Sequence, residues 1–166
     1  MSDAEIRSVI IPLTDLEILI PNATVAEVIN YSEPQPISNT PPWMLGNLLW
    51  QGWQVPLISF AVLSEVAEEE STESARVCIT KSLIGNARMP YFALLTQGFP
   101  HLTTVTASDL VEVASSNKPL AVAGQVILNE ERQVIVPDLD RLGHLVAHVA
   151  FGALPVTRRA EPPSKD

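Results

Sequence analysis

The chain has 166 residues, enough for one domain or two small fused subdomains, and 46% of them are hydrophobic. Its formal net charge is −9, and no Lys or Arg occurs between Arg7 and Arg76. A surface this short of cations argues against nucleic acid as a partner and disfavours anionic membranes. The apolar runs are too short to span a membrane, and the N-terminus lacks a signal-peptide pattern. We therefore expect a cytoplasmic protein without direct membrane insertion.

Many short strands are predicted by runs of Val, Ile, Leu and Thr that are bounded by turn residues. The 14 prolines fall between or at the ends of these runs, where a missing N–H is tolerated. The pattern favours an all-β fold made of small barrels or a sandwich. The predicted strands are Arg7–Ile11, Leu16–Ile20, Leu48–Trp50, Gln54–Ser59, Arg76–Lys81, Tyr91–Thr96, Leu102–Thr106, Ala121–Leu128 and Gln133–Val136, with a hairpin turn at Asn129–Arg132.

Two segments have helical features. Thr24 is a candidate cap for a short helical turn over Ala26–Val28, and Asp138 is a good N-cap for a longer C-terminal helix that ends near Phe151. The acidic stretch Glu65–Ser74 is expected to form a solvated loop. We expect residues 1–5 and 155–166 to be flexible termini around one domain over residues 6–154.

No catalytic constellation is complete in the sequence. Cys78 lies inside an apolar strand pattern, which favours a buried thiol over a nucleophile. His144, His148 and Asp140 share a face of the predicted helix, but no further ligand completes a zinc site. Phosphate-binding glycine motifs are missing as well. We predict neither an enzyme nor a cofactor.

Three tryptophans, Trp43, Trp50 and Trp53, lie within eleven residues. Tryptophan is enriched at binding hot spots, but it is also a large core residue. Both interpretations remain open, and at least one of the three is expected to be in the core.

The chain contains four segments in order, Val25–Val28, Pro42–Ile58, Phe92–Leu102 and Gln133–Asp140, and together they resemble the family of CheW-like domains. Val25–Val28 is similar to an early Val-x-Glu-Val segment, and Pro42–Ile58 resembles a central motif in register at two glycines and a proline. Phe92–Leu102 follows, and the final strand with its Leu-Asp helix start matches the end of the family pattern. Within this family, Pro41-Pro42-Trp43 and the turn Gln97–Pro100 are most similar to ChpC-like adaptors of chemosensory systems that govern type IV pili.

The resemblance implies two intertwined five-stranded SH3-like barrels with a C-terminal helix and a hydrophobic groove. It implies a non-catalytic adaptor that couples the cytoplasmic tip of a methyl-accepting chemoreceptor to the regulatory domain of a CheA-type histidine kinase, here with a role in twitching motility. Carried over by position, the partner-binding residues are Val25, Glu27, Val28, Gln51, Gly52, Phe99 and Leu102.

Two positions depart from the family pattern. Gln51 stands where an Arg usually precedes the glycine of the central turn, and Thr96-Gln97 replace the later Val-Asp pair. Gln lacks the permanent charge and the five donors of Arg. These changes favour an altered partner preference over a lost fold.

Two alternatives come from other classes. One is a small-molecule sensor that uses the groove between the barrels with the tryptophans as a lid. The other is a metalloenzyme built on Asp140, His144 and His148, which the missing ligands disfavour.

Overall fold

The computed structural model describes residues 5–106, 110–111, 122–128 and 132–152. Strands dominate this part of the chain, as the sequence predicts. The strands are β1 Glu5–Leu13, β2 Leu16–Pro21, β3 Val25–Asn30, β4 Met44–Trp50, β5 Trp53–Ile58, β6 Arg76–Lys81, β7 Tyr91–Thr96, β8 His101–Thr106, β9 Leu110–Val111, β10 Val122–Leu128 and β11 Arg132–Pro137; the helices are α1 Phe60–Leu63 and α2 Leu139–Ala147, followed by a π-helical turn at His148–Gly152.

The strands form two sheets that the chain visits alternately. Sheet I has the order β8-β1-β2-β11-β10-β9, and sheet II has the order β3-β6-β7-β5-β4. The chain starts in sheet I, builds all of sheet II, and returns to sheet I at β8. This interleaving confirms the predicted fold of two intertwined barrels, and the two-residue strand β9 extends sheet I to six strands.

The two sheets repeat one pairing pattern. From β8 to β10 and from β3 to β4, neighbouring strands pair antiparallel, antiparallel, parallel and antiparallel. A helix with a side-chain N-cap follows the last hairpin of each unit, capped by Ser59 before α1 and by Asp138 before α2. A bulge also precedes Gly46 in β4 and Gly124 in β10. The chain thus has two similar halves, one from β1 to α1 and one from β6 to α2. The first hairpin of each half lies in the sheet that the other half completes.

Three hydrophobic clusters explain the long apolar runs. Each sheet has one cluster of its own, around Val77 and Ile79 in sheet II and around Ile10 and Leu19 in sheet I. The largest lies between the sheets and is shared by both. Because the central strands are buried on both faces, their sequences lack the alternation of a half-exposed strand. The shared core includes Val9, Ile11, Ile18, Ile20, Phe60, Cys78, Phe92, Leu94, Leu142 and Val146.

The predicted helical turn at Thr24–Val28 is wrong. The Thr24 hydroxyl donates to the Pro21 carbonyl at 2.7 Å, which closes a 3₁₀ turn over Asn22–Thr24. The chain then becomes β3, which pairs with β6 through Val28 and Cys78. Thr24 therefore ends the crossover between the sheets, and pairing to β6 overrides the weak capping signal.

The other predicted elements agree with the structure within a few residues. β6 and β7 have the predicted bounds, and α2 begins after Asp138, whose carboxylate accepts from Arg141 N at 3.0 Å. The helix α1 was not predicted, because four residues carry no helical period. β10 and β11 pair as predicted, although residues 129–131 of their turn lie outside the described residues. The predicted flexible termini also lie outside the described residues, except for Glu5, at which β1 begins.

Gly46 is expected to be irreplaceable at the β4 bulge. Its φ is +138°, and an added Cβ would lie 2.4 Å from the Gln35 carbonyl oxygen, which accepts from Asn47 N. Gly46→Ala should lower the free energy of unfolding by about 2 kcal/mol or more in urea titrations, because it adds strain and displaces a paired backbone.

Gly98→Ala provides the matched control. Gly98 has no positive φ, and its added Cβ would meet only Pro12 at 3.4 Å. Equal stability of the two variants would contradict this account of Gly46.

Candidate partner-binding surface

The segment Val25–Val28 lies on an edge strand. β3 forms one end of sheet II, so its outer edge pairs with no strand of the described chain. Val25 and Val28 are half-buried and pack on the shared core, whereas Glu27 is exposed. A bulge between Val25 and Glu27 allows these three side chains to depart from strict alternation. The edge offers backbone groups, two apolar contacts and one carboxylate.

Gln51 and Gly52 form the tight turn of the β4–β5 hairpin. Their φ values are +50° and +82°, as a two-residue type I′ turn requires, and Trp50 pairs with Trp53 across the turn. Gly52 adopts this conformation without strain, and Gln51 does so at a cost of roughly 1 kcal/mol. The turn geometry therefore does not require the family's Arg at position 51.

Trp50 joins the turn to β3. Its indole Nε1 donates to Glu27 Oε1 at 2.9 Å, and its ring meets Tyr91 edge-to-face with centroids 4.9 Å apart. The Glu27 carboxylate thus accepts a hydrogen bond from an aromatic side chain. Sequence reasoning identified both Glu27 and the turn but did not assign this contact to Trp50.

Phe99 is held at the other end of β3. It lies in the crossover from β7 to β8, and the Arg76 guanidinium stacks 4.2 Å from its ring centroid. Arg76 also donates to the Asn30 side-chain carbonyl at the end of β3. This cation–π contact fixes an aromatic ring that remains 60% exposed.

Leu102 lies on the edge strand β8 of sheet I. It pairs directly with Val9, which belongs to the shared core, so both side chains face the space between the sheets. Leu102 is nevertheless 67% exposed. We call the boundary between the two sheets, beside the edge strands β3 and β8, the seam. An uncovered leucine at the seam is an available apolar contact.

The structure places six of the seven predicted residues on β3 or on segments that reach it, whereas Leu102 lies on β8 of the other sheet. Glu27 meets the hairpin turn through Trp50, and Phe99 meets the end of β3 through Arg76. Of the three tryptophans, Trp43 is half-buried and packs against the shared core, and Trp50 is half-buried and packs against the core of sheet II. Trp53 is 42% exposed.

Sequence reasoning missed the role of Glu70. Its Oε2 accepts from Thr14 N at 2.9 Å, and its Oε1 accepts from the Ser59 hydroxyl at 2.6 Å. Gln97 Nε2 further donates to the Ser71 carbonyl at 2.9 Å. The acidic loop is solvent-exposed at most positions, as expected, but Glu70 fixes it to the β1–β2 turn and to the start of α1. No local signal separates Glu70 from its acidic neighbours.

A cavity of about 330 Å³ lies beneath this loop. It is bordered by the connection from β3 to β4, by α1 and by the acidic loop, and no tryptophan lines it. The space between the sheets, where the sensor alternative expects a ligand groove, contains the shared core. The lining includes Tyr31, Glu33, Pro34, Pro36, Pro42, Leu45, Val62, Glu68, Glu69, Glu70 and Leu95.

The candidate chemical groups are separate in space or inaccessible. Cys78 is fully buried, as predicted, and burial raises its pKa to about 11, although a hydrogen bond with Thr80 opposes the shift. Asp140 and His144 are 3.9 Å apart on the exposed face of α2. Over the described residues, no three His, Cys, Asp or Glu side chains are arranged to hold a metal ion, and no helix is long and apolar enough to cross a membrane.

The fold and the sequence identify the family. Residues 7–146 match the model of the CheW-like domain, so the chain belongs to this family, which is one of non-catalytic scaffold and adaptor proteins. Among solved structures, it is similar to the scaffolding protein TtCheW from Thermoanaerobacter tengcongensis, with a TM-score of 0.69 and 14% identity over 83% of this chain and 87% of that chain. Comparison with curated proteins finds no similar sequence.

The bond between Trp50 and Glu27 is expected to couple the hairpin to β3 energetically. In a double-mutant cycle of Trp50→Phe and Glu27→Ala, we expect a coupling free energy of unfolding of about 0.5–1.5 kcal/mol, because each single variant removes the same hydrogen bond. Phe retains a ring against Tyr91, and Glu27→Gln, which retains an acceptor, is the control that should keep most of the stability. Strictly additive variants would refute the coupling.

Proposed function

We propose that the protein is a cytoplasmic chemotaxis adaptor that binds the helical tip of a chemoreceptor at the seam beside β3. The observation that carries the proposal is a pair of uncovered apolar side chains at this seam: Phe99 is 60% and Leu102 is 67% exposed. Membership of the CheW-like family supports an adaptor over an enzyme. The receptor and the kinase themselves are inferred from the family's function.

The chemistry of the seam suits an amphipathic helix. Such a helix inserts apolar side chains spaced by one turn into a groove and leaves its polar face in water. Phe99 and Leu102 supply two exposed apolar anchors for such a helix. Since Arg76 already restrains Phe99, little conformational entropy is lost when a partner covers the ring.

A coupling protein needs a second surface, and the β4–β5 hairpin offers one. Leu49 is 75% exposed on the edge strand β4, and Trp53 is 42% exposed beside the turn. Exposed aromatic and leucine side chains on a rigid hairpin are typical of protein interfaces. We assign this surface to the regulatory domain of a CheA-type kinase.

Reciprocal variants test the two assignments. Phe99→Ala with Leu102→Ala should weaken binding to a receptor hairpin about tenfold or more and leave kinase binding unchanged, since truncated anchors cost at least 1.4 kcal/mol. Leu49→Ala with Trp53→Ala should have the opposite effect. Binding is measured by calorimetry with purified partners.

Leu83→Ala is the control for these variants. Leu83 is an exposed leucine, 52% accessible, in the connection between β6 and β7, and it belongs to neither surface. The adaptor proposal fails if the wild-type protein binds neither partner. The assignment of surfaces fails if Leu83→Ala weakens binding as much as the paired variants.

We further propose that the system served is one that governs type IV pili. The proposal is supported by the sequence similarity of Pro41-Pro42-Trp43 and Gln97–Pro100 to ChpC-like adaptors. Deletion of the gene should reduce the twitching zone on agar, and the Phe99→Ala, Leu102→Ala variant should not restore it although the wild type does. A deletion strain with impaired swimming and normal twitching would refute this assignment.

A further inference from the structure

The cavity beneath the acidic loop is separate from both proposed surfaces. It has a volume of about 330 Å³, and none of its lining residues belongs to the seam or to the tip of the hairpin. Ligand pockets in proteins measure about 300–1,000 Å³, so this cavity is of a size for one long side chain rather than a large metabolite. Its walls combine apolar and acidic side chains from the β3–β4 connection, β4, α1, the acidic loop and β7.

The apolar walls suit an aliphatic stem or a flat group. Tyr31, Pro34, Pro36 and Pro42 come from the connection between β3 and β4, and Leu45, Val62 and Leu95 complete the floor. Pro34 is buried, and Pro36 and Pro42 are exposed at the rim. Rigid prolines and an aromatic ring bind with little loss of conformational entropy.

Carboxylates line the cavity from two segments of the chain. Glu33 comes from the β3–β4 connection, and Glu68 and Glu69 come from the acidic loop. The raised pKa of the Tyr31 hydroxyl, caused by burial and then by the charge of Glu33, is consistent with this carboxylate lying beside the aromatic wall. Glu70 is occupied by Thr14 and Ser59, so it fixes the loop over the cavity rather than facing a ligand.

No cation of the same region neutralises these carboxylates. Residues 8–75 contain nine Asp or Glu and no Lys or Arg. Throughout the described ranges, no Lys or Arg forms an ion pair with Glu33, Glu68 or Glu69. Three carboxylates line one partly apolar cavity, so its charge is complementary to that of an incoming cation.

We propose that this cavity is a docking site for an arginine side chain presented by a segment of a partner protein. A guanidinium is planar, so it stacks on Tyr31 and the proline walls, and its five donors can reach carboxylates of both segments at once. An ammonium is more strongly hydrated and acts as a point charge, which suits a partly apolar cavity less well. The site would add charge-selected recognition to the apolar anchors of the two surfaces proposed above.

The test is an NMR titration of the full chain with the capped tripeptide acetyl-Ala-Arg-Ala-amide at low ionic strength. We expect saturable amide shifts at Tyr31, Glu33, Leu45 and residues 68–72, with a Kd on the order of 1 mM for a single side chain. The same peptide with citrulline, which is isosteric and neutral, should bind about tenfold or more weakly.

Matched variants locate the site. Glu33→Gln with Glu69→Gln should abolish the arginine-dependent shifts, whereas Glu73→Gln, which changes an exposed carboxylate of the same loop outside the cavity, should preserve them. Spectra of the variants without peptide verify that each is folded. The proposal is overturned if no localised shifts occur at about 10 mM peptide, well above the expected Kd. It is also overturned if the citrulline or lysine peptide binds as tightly as the arginine peptide, or if Glu73→Gln abolishes the shifts equally.

Discussion

The exchange of hairpins between the two sheets is the constraint on which the rest of the structure depends. The β1–β2 hairpin belongs to sheet I, but the strands that follow it, β3 to β5, belong to sheet II. Conversely, the β6–β7 hairpin belongs to sheet II, and the strands that follow it, from β8 onward, belong to sheet I. Neither sheet is complete without strands from both halves. The shared core between the sheets, which includes Ile11, Phe60 and Phe92, therefore cannot form until both halves are folded. Such non-local pairing favours a single cooperative unfolding unit.

The same exchange creates the surfaces that a partner can reach. Each crossover passes from one sheet to the other at the seam, and each ends in an edge strand, β3 or β8. Phe99 lies in one of these crossovers and Thr24 closes the other. Edge strands with free backbone groups are normally a liability for aggregation. Here the exposed Glu27 on β3 and the stacked pair of Arg76 and Phe99 place charge next to the edge, which discourages indiscriminate strand addition.

The contacts around Glu27 show how a departure from a family pattern is accommodated. The turn at Gln51 and Gly52 keeps its type I′ geometry without an arginine, because that geometry depends on the φ values of the two turn residues. Trp50 supplies the donor to Glu27, and the aromatic contact with Tyr91 holds the indole in place. The hairpin remains joined to β3, but the surface beside it is less cationic than an arginine would make it. The fold therefore remains intact without an arginine at position 51.

Much of the fold could be predicted from the sequence, because apolar runs and turn residues act locally. The strand bounds at Arg76–Lys81, the cap at Asp138 and the burial of Cys78 follow from such local patterns. The ordered motifs from Val25 to the final helix, which are similar to those of CheW-like domains, also indicated the interleaved sheets. Thr24 was misassigned because a capping residue is equally suited to a 3₁₀ turn, and only pairing with β6 distinguishes the two. The internal repeat escaped detection because the two units share pairing and bulges rather than side chains.

The sequence by itself determined that this is an all-β domain with one C-terminal helix, an acidic first half and no complete catalytic constellation. Those properties depend on composition and on spacing along the chain. Only the tertiary structure decided which side chains meet: Trp50 with Glu27, Arg76 with Phe99, and Glu70 with Thr14 and Ser59. Each of these contacts joins residues from different strands or loops. Their partners depend on how strands pair and how loops pack on them, and no local pattern of residues encodes that packing.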